Sequence, residues 1–220
     1  MKKLIITCAV VLTVILLVPV SCAAPPAPMP APAPAPAPMP EPAPTPTPKT
    51  TKVIPEEGDK GTIVSGSFPA FTIEDCIEHS DAIVIGKVTG ILPAKWGKNP
   101  MGDIIYQDVI VQTERYLYGE PESEFIAINV WGGKVGDTYM IMDSDPVFTV
   151  GEKTLLFLHR PPKEFMATVP EGIDPRSYYR VTASIPGKHE FKDGILTDYR
   201  GQTTNISTVE EKIAAAPRNQ

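Results

Sequence analysis

Apolar and polar positions follow three regimes along the 220 residues. Residues 4–20 are almost wholly apolar behind the positive pair Lys2 and Lys3, the layout of an export signal. From residue 25 to 48, proline takes nearly every second position, mostly alternating with alanine, and this stretch holds 13 of the 26 prolines. Proline fixes φ and lacks a donor N–H, so the stretch predicts an unpacked polyproline II spacer, semi-rigid rather than folded. Beyond it the pattern changes to short runs rich in β-branched residues, separated by turn signals.

These runs predict a mainly β domain. Residues 71–80 read as a short helix, with Thr72 as N-cap, Asp75 completing a capping box, and Ile73 and Ile77 on one face. Residues 82–92 follow as a strand in which Gly86 and Gly90 mark bulges. Residues 95–102 read as a loop, and 103–118 as the longest strand, apolar on both parities and closed by Gly119-Glu120-Pro121. Further strands are expected at 125–131, 138–142, 153–159 and 178–184. Gly132 to Gly136 forms a hairpin turn in this reading, and a hairpin at 188–196 turns at Asp193-Gly194. A last helix is expected at 208–216, capped by Thr208 and Glu211 and ended by Pro217. Many short strands with regular turn signals imply a sandwich or barrel.

Val18-Pro19-Val20-Ser21-Cys22 resembles the lipobox of prokaryotic lipoproteins, which implies a Cys22 diacylated on sulfur and exposed as the new N-terminus. Pro19 stands where that family carries Leu, Val or Ile. The other reading of the apolar run is a retained helical anchor, slightly shorter than the ~20 residues that span a bilayer. Both place the chain at the extracytoplasmic face of a membrane. The expected organisation is a signal at 1–21, the lipid-attachment cysteine and Pro/Ala linker at 22–60, and a β-barrel domain at 61–220.

A second resemblance lies in the order Glu78-His79-Ser80-Asp81, then 82–88 (Ala-Ile-Val-Ile-Gly-Lys-Val), then Tyr116-Leu117-Tyr118-Gly119-Glu120-Pro121, then 128–133 (Ile-Asn-Val-Trp-Gly-Gly), then 148–158. It is similar to a widespread set of bacterial and archaeal surface proteins and, more distantly, to the netrin-like modules of metalloproteinase inhibitors. The resemblance covers residues 72–158 and implies an OB-like β-barrel of short antiparallel strands with one or two small helices. Those inhibitors use an N-terminal cysteine and disulfides that this domain lacks, so inhibition does not carry over.

Charge and cysteine content narrow the partners. Beyond residue 50 lie 17 basic and 25 acidic residues, a net charge of −8 with no Lys/Arg cluster, which argues against nucleic acid. With Cys8 in the signal and Cys22 acylated, Cys76 stands alone in the domain. It reads as a buried apolar residue whose acidic neighbours Glu74, Asp75 and Glu78 disfavour a thiolate.

Candidate chemistry is sparse. His79, His159 and His189 share no ligand spacing, and no serine stands in a hydrolase motif. Asp143 and Asp145 suit a hard cation such as calcium, although Asp143-Ser144-Asp145-Pro146 is also a plain turn sequence. Trp96 in the first loop and Trp131 at a strand end are candidates for stacking on a sugar or peptide, with rim packing as the other reading. The expectation is a non-catalytic, cofactor-free binding module, lipid-anchored in the cell envelope and facing a protein or cell-wall ligand. An inhibitor-like or enzyme-accessory role is the alternative, and a surface hydrolase ranks behind both.

Overall fold

A computed structural model describes residues 49–66, 71–100, 102–120, 123–162 and 168–216. The chain divides into two compact units, Met1–Pro44 and Thr45–Gln220, and all of these residues belong to the second. Cys22, the apolar run and the whole proline tract lie outside the described residues. Among the described residues no helix is long and apolar enough to cross a membrane.

The second unit is mainly β. Its described elements are β1 (Lys60–Val64), α1 (Ile73–Glu78), β2 (Ala82–Ile91), β3 (Lys95–Asn99), β4 (Gly102–Tyr118), β5 (Phe125–Trp131), β6 (Gly133–Val135), β7 (Thr138–Met142), β8 (Lys153–His159), β9 (Tyr178–Val181), β10 (Lys188–Lys192), β11 (Ile195–Thr197), β12 (Thr203–Asn205) and α2 (Ile206–Ala215). Strands β2, β4, β5, β9 and β8 are neighbours in that order, and β8 pairs again with β2, which closes a five-stranded barrel. All its pairings are antiparallel except β5 with β9, where Ala127 lies opposite Tyr178 and Ile128 opposite Tyr179. Three meandering strands followed by two that close the ring with one parallel contact are the OB-like topology.

Alternation assigns the two faces of the barrel wall. Val84, Val109, Val111, Ile128, Leu156 and Tyr179 point inward and fill the barrel. Ile83, Ile85, Leu155 and Phe157 point outward into a second core covered by α1 and α2 through Cys76, Ile77 and Val209. A strand apolar on both parities therefore serves two cores, as the 153–159 run does. The register between β2 and β4 shifts at Ile85/Gly86 and Val88/Gly90, where the expected bulges fall.

The caps explain where the helices begin. Thr72 accepts from the Asp75 N–H and Asp75 accepts from the Thr72 N–H, so the first capping box forms as read. Helix α2 starts two residues earlier than expected, because Asn205, rather than Thr208, accepts from the Ser207 N–H. Residues 95–99 are strand β3 rather than loop, paired with the start of β4. Gly133–Val135 is likewise a strand, β6, where a turn was expected. Gly133 must be glycine: its φ is 137°, and a Cβ there would approach the Ala94 Cβ to 2.6 Å.

Residues 49–60, read from sequence as linker, are joined to the barrel unit. The Thr51 N–H donates to the Phe148 carbonyl at 2.9 Å, the Phe148 N–H donates to the Thr51 hydroxyl at 2.9 Å, and the Val150 N–H donates to the Lys49 carbonyl at 2.8 Å. Strand β1 then adds in parallel to the exposed side of β7, and β6 pairs with β7 on the other, forming a small second sheet. Lys134 of β6 bonds Glu56 at 2.9 Å and Asp59 at 2.8 Å, which fixes the segment between.

Candidate functional site

The outward residues of β4, β5 and β9 form a polar stripe on the barrel wall, and its lower part is sealed. Asp108 is fully buried, and its carboxylate accepts from the Tyr178 hydroxyl at 2.9 Å and the Asn129 amide at 3.4 Å. Lys95 of β3 reaches its other oxygen at 2.9 Å and lies 5.0 Å from the centre of the Tyr106 ring. Burial would lower the Lys95 ammonium, but the bond and charge of Asp108 hold it above the usual lysine value. Burial, with the Asp108 charge beside it, pushes the Tyr178 phenol well above its ordinary range. A carboxylate so enclosed and so paired is a structural centre that ties β3 to the barrel wall.

One rung along the stripe, the arrangement opens. Arg180 of β9 stacks 3.8 Å from the Trp131 ring centre and lies 3.3 Å from both oxygens of Asp145. The Asp145 carboxylate also accepts the Trp131 backbone N–H at 2.6 Å. Burial raises the Asp145 carboxyl and lowers the Arg180 guanidinium, while each one's charge opposes the effect on the other. Asp145 thus fastens the 143–147 turn onto the end of β5, and Arg180 holds the indole in place.

Beside this clamp lies a cavity of about 480 Å³, within the size range of small-ligand sites. Its walls come from five separate segments, including Lys52, Trp131, Met140, Val147, Ile185 and Tyr199. The turn that carries Ile185 is strained, with Ala183 at φ 55° and Ser184 at φ 59°, ψ −122°. The Ile185 N–H donates to the Ser144 carbonyl at 3.2 Å, and a Cβ on Gly187 would come within 1.9 Å of the Thr182 carbonyl oxygen. The turn is therefore tight within itself, and the Ile185–Ser144 bond ties it to the 143–147 segment.

Three residues singled out from sequence, Trp131, Asp143 and Asp145, meet at this cavity. Trp96 does not; it sits on β3 opposite Ile105 and is 52% exposed. Asp143 accepts the Ser65 hydroxyl at 2.7 Å, and both oxygens of Asp145 face Arg180, so a cation bridging the two aspartates would have to displace the guanidinium. Among the described residues no group of three or more His, Cys, Asp or Glu is placed to hold a metal. Cys76 is buried, and burial followed by the Asp75 charge pushes its thiol up to about 12. His79 bonds its own helix through the Asp75 carbonyl, and His159 lies beside Arg180 in the β8–β9 register. Arg180, Asp108 and Tyr178 escaped the sequence reading. The only signal for them is the outward parity of β9 and β4, which requires the register to interpret.

Burial lowers both His159 and His189 below the ordinary histidine value, Arg180 lowering His159 further, against opposing charges from Asp81 and Asp198 respectively. The unfolded chain therefore takes up protons first as pH falls from about 6.5, and stability is lost across that interval toward the lowered folded values. Urea midpoints measured at pH 7.5 and 5.5 are expected to fall with acidification, and His189→Gln to flatten the slope. A midpoint constant over that interval would contradict this assignment.

Comparison with protein-family models and with curated proteins finds no match for this chain.

Proposed function

We propose that this is a lipid-anchored protein of the cell envelope that displays a non-catalytic binding module, related at a distance to the netrin-like barrels. The cavity beside Trp131 carries this reading. It lies at the end of β5, and its aromatic wall is held by Arg180 and Asp145. The buried carboxylates nearby serve as structural partners, Asp145 to Arg180 and Asp108 to Lys95 and Tyr178. That commitment favours binding over acid–base chemistry. The lipobox-like Cys22 supports an anchored address, and the proline-alanine tract supports a spacer between membrane and module.

Intact mass and detergent partitioning of the native-host protein beside Cys22→Ala test the address. A mature mass beginning at Cys22 plus acyl chains, lost in the variant along with the detergent-phase signal, is expected. A full-length unacylated mass in both would replace the lipid by a retained helical anchor.

A further inference from the structure

We infer that the cavity beside Trp131 takes a primary ammonium carried on an apolar body, as a lysine side chain or an arylalkylamine presents it. This rests on the reading of that cavity as the module's binding site and adds the chemical class of the ligand. The floor is apolar and soft, with Met140, Met142, Val147 and Ile185 beside the two rings of Trp131 and Tyr199. Its charged groups divide into those already committed and those still available. Asp145 is held by Arg180 and the Trp131 N–H, and Lys188 pairs with Glu152 at 3.0 Å. Of the other lining groups, Asp143, Glu190 and Asp198 are carboxylates, and Lys52 is an ammonium.

Asp143 uses one oxygen on Ser65, and Asp198 uses one on the N–H groups of Arg200 and Gln202, at 2.9 and 2.7 Å. Among the described residues, each keeps its second oxygen unbonded. Three carboxylates against one ammonium give the cavity a negative surplus, which favours a cation over a neutral ligand and opposes an anion. The position of the cation follows from Trp131. Arg180, which is not among the cavity walls, already covers one face of the indole, so a ligand meets the ring with its apolar part and places its charge at the carboxylate rim.

The test uses three probes that share a body and differ in charge, 2-phenylethylamine, 2-phenylethanol and phenylacetate. Each is titrated into the 220-residue chain and followed by tryptophan fluorescence and by amide shifts of Trp131 and Ile185. The amine is expected to bind about threefold or more tighter than the alcohol, phenylacetate weakest, and the difference to shrink as salt is raised. Glu190→Gln combined with Asp198→Asn is expected to bring the amine down to the alcohol's affinity, with circular dichroism showing the fold kept. Acetyl-Phe-Lys-amide separates the two sources of the ammonium: tighter binding than the free amine assigns it to a peptide, and equal binding to a small amine. Equal affinities for amine and alcohol, or tighter binding of phenylacetate, would overturn the ligand class while leaving the cavity as the binding site. No shift with any probe would overturn the ligand class and the binding site together.

Discussion

Arg180→Met is expected to lower the unfolding free energy by about 3 kcal/mol at pH 7.5, because among the described residues it leaves the buried Asp145 carboxylate only the Trp131 N–H as partner. The figure is taken at the low end for a broken buried pair, since the Arg180 side chain retains 15% exposure. The pH dependence has a definite sign. Burial already raises the Asp145 carboxyl, and removing the guanidinium raises it further. A carboxyl whose folded pKa lies above its unfolded one destabilises the fold as pH rises, so the defect is expected to shrink on acidification toward pH 5. Adding Asp145→Asn to Arg180→Met removes the orphaned charge and is expected to recover part of the loss. Urea unfolding of the two variants at both pH values decides the point. A defect that ignores both pH and Asp145→Asn would mean that the lost stacking on Trp131, rather than the charge, is what matters.

Phe157→Ala is expected to cost about 3–5 kcal/mol, the range for emptying a fully buried aromatic site. Phe157 has no exposed surface and points outward from β8 into the core beneath the two helices, its ring 5.8 Å from that of His189 in an edge contact. The loss should also be uneven. The barrel interior, built on Leu156 and Leu158 of the same strand, is untouched by the truncation, whereas α1 and α2 lose a shared anchor. Hydrogen exchange is expected to accelerate in both helices before it does in β4 and β5. A stability loss below about 1 kcal/mol would mean that the helices contribute little to folding of the barrel.

The elements legible in the sequence are those whose local signals agree with their tertiary role. The sequence marks β5 and β8 at their observed limits because β-branched or apolar runs end at Gly132 and Arg160-Pro161. Helix α1 is legible because its capping box is local. Strand β1 has no buried face at all and exists only through its pairing with β7, so no periodicity could announce it. Strand β3 is a mix of Lys, Trp, Gly and Asn that becomes a strand only beside β4. The same distinction applies to the cavity. Trp131 and Asp143-Ser144-Asp145 stood out by residue type, but the guanidinium between Trp131 and Asp145 lies 35 residues from the aspartate. Trp96 stood out equally and lies elsewhere, because residue type carries no information about which loops meet.

Lys49, Thr50 and Thr51 bond side by side with Phe148, Thr149 and Val150, and the next residues, Lys52 and Val53, form part of the cavity wall. Any tension transmitted along the preceding chain is therefore delivered first to these few bonds and to the wall of the cavity, and only afterwards to the closed barrel. The joint acts as a mechanical fuse: a pull applied at Lys49 would deform the cavity while the barrel behind it stayed intact.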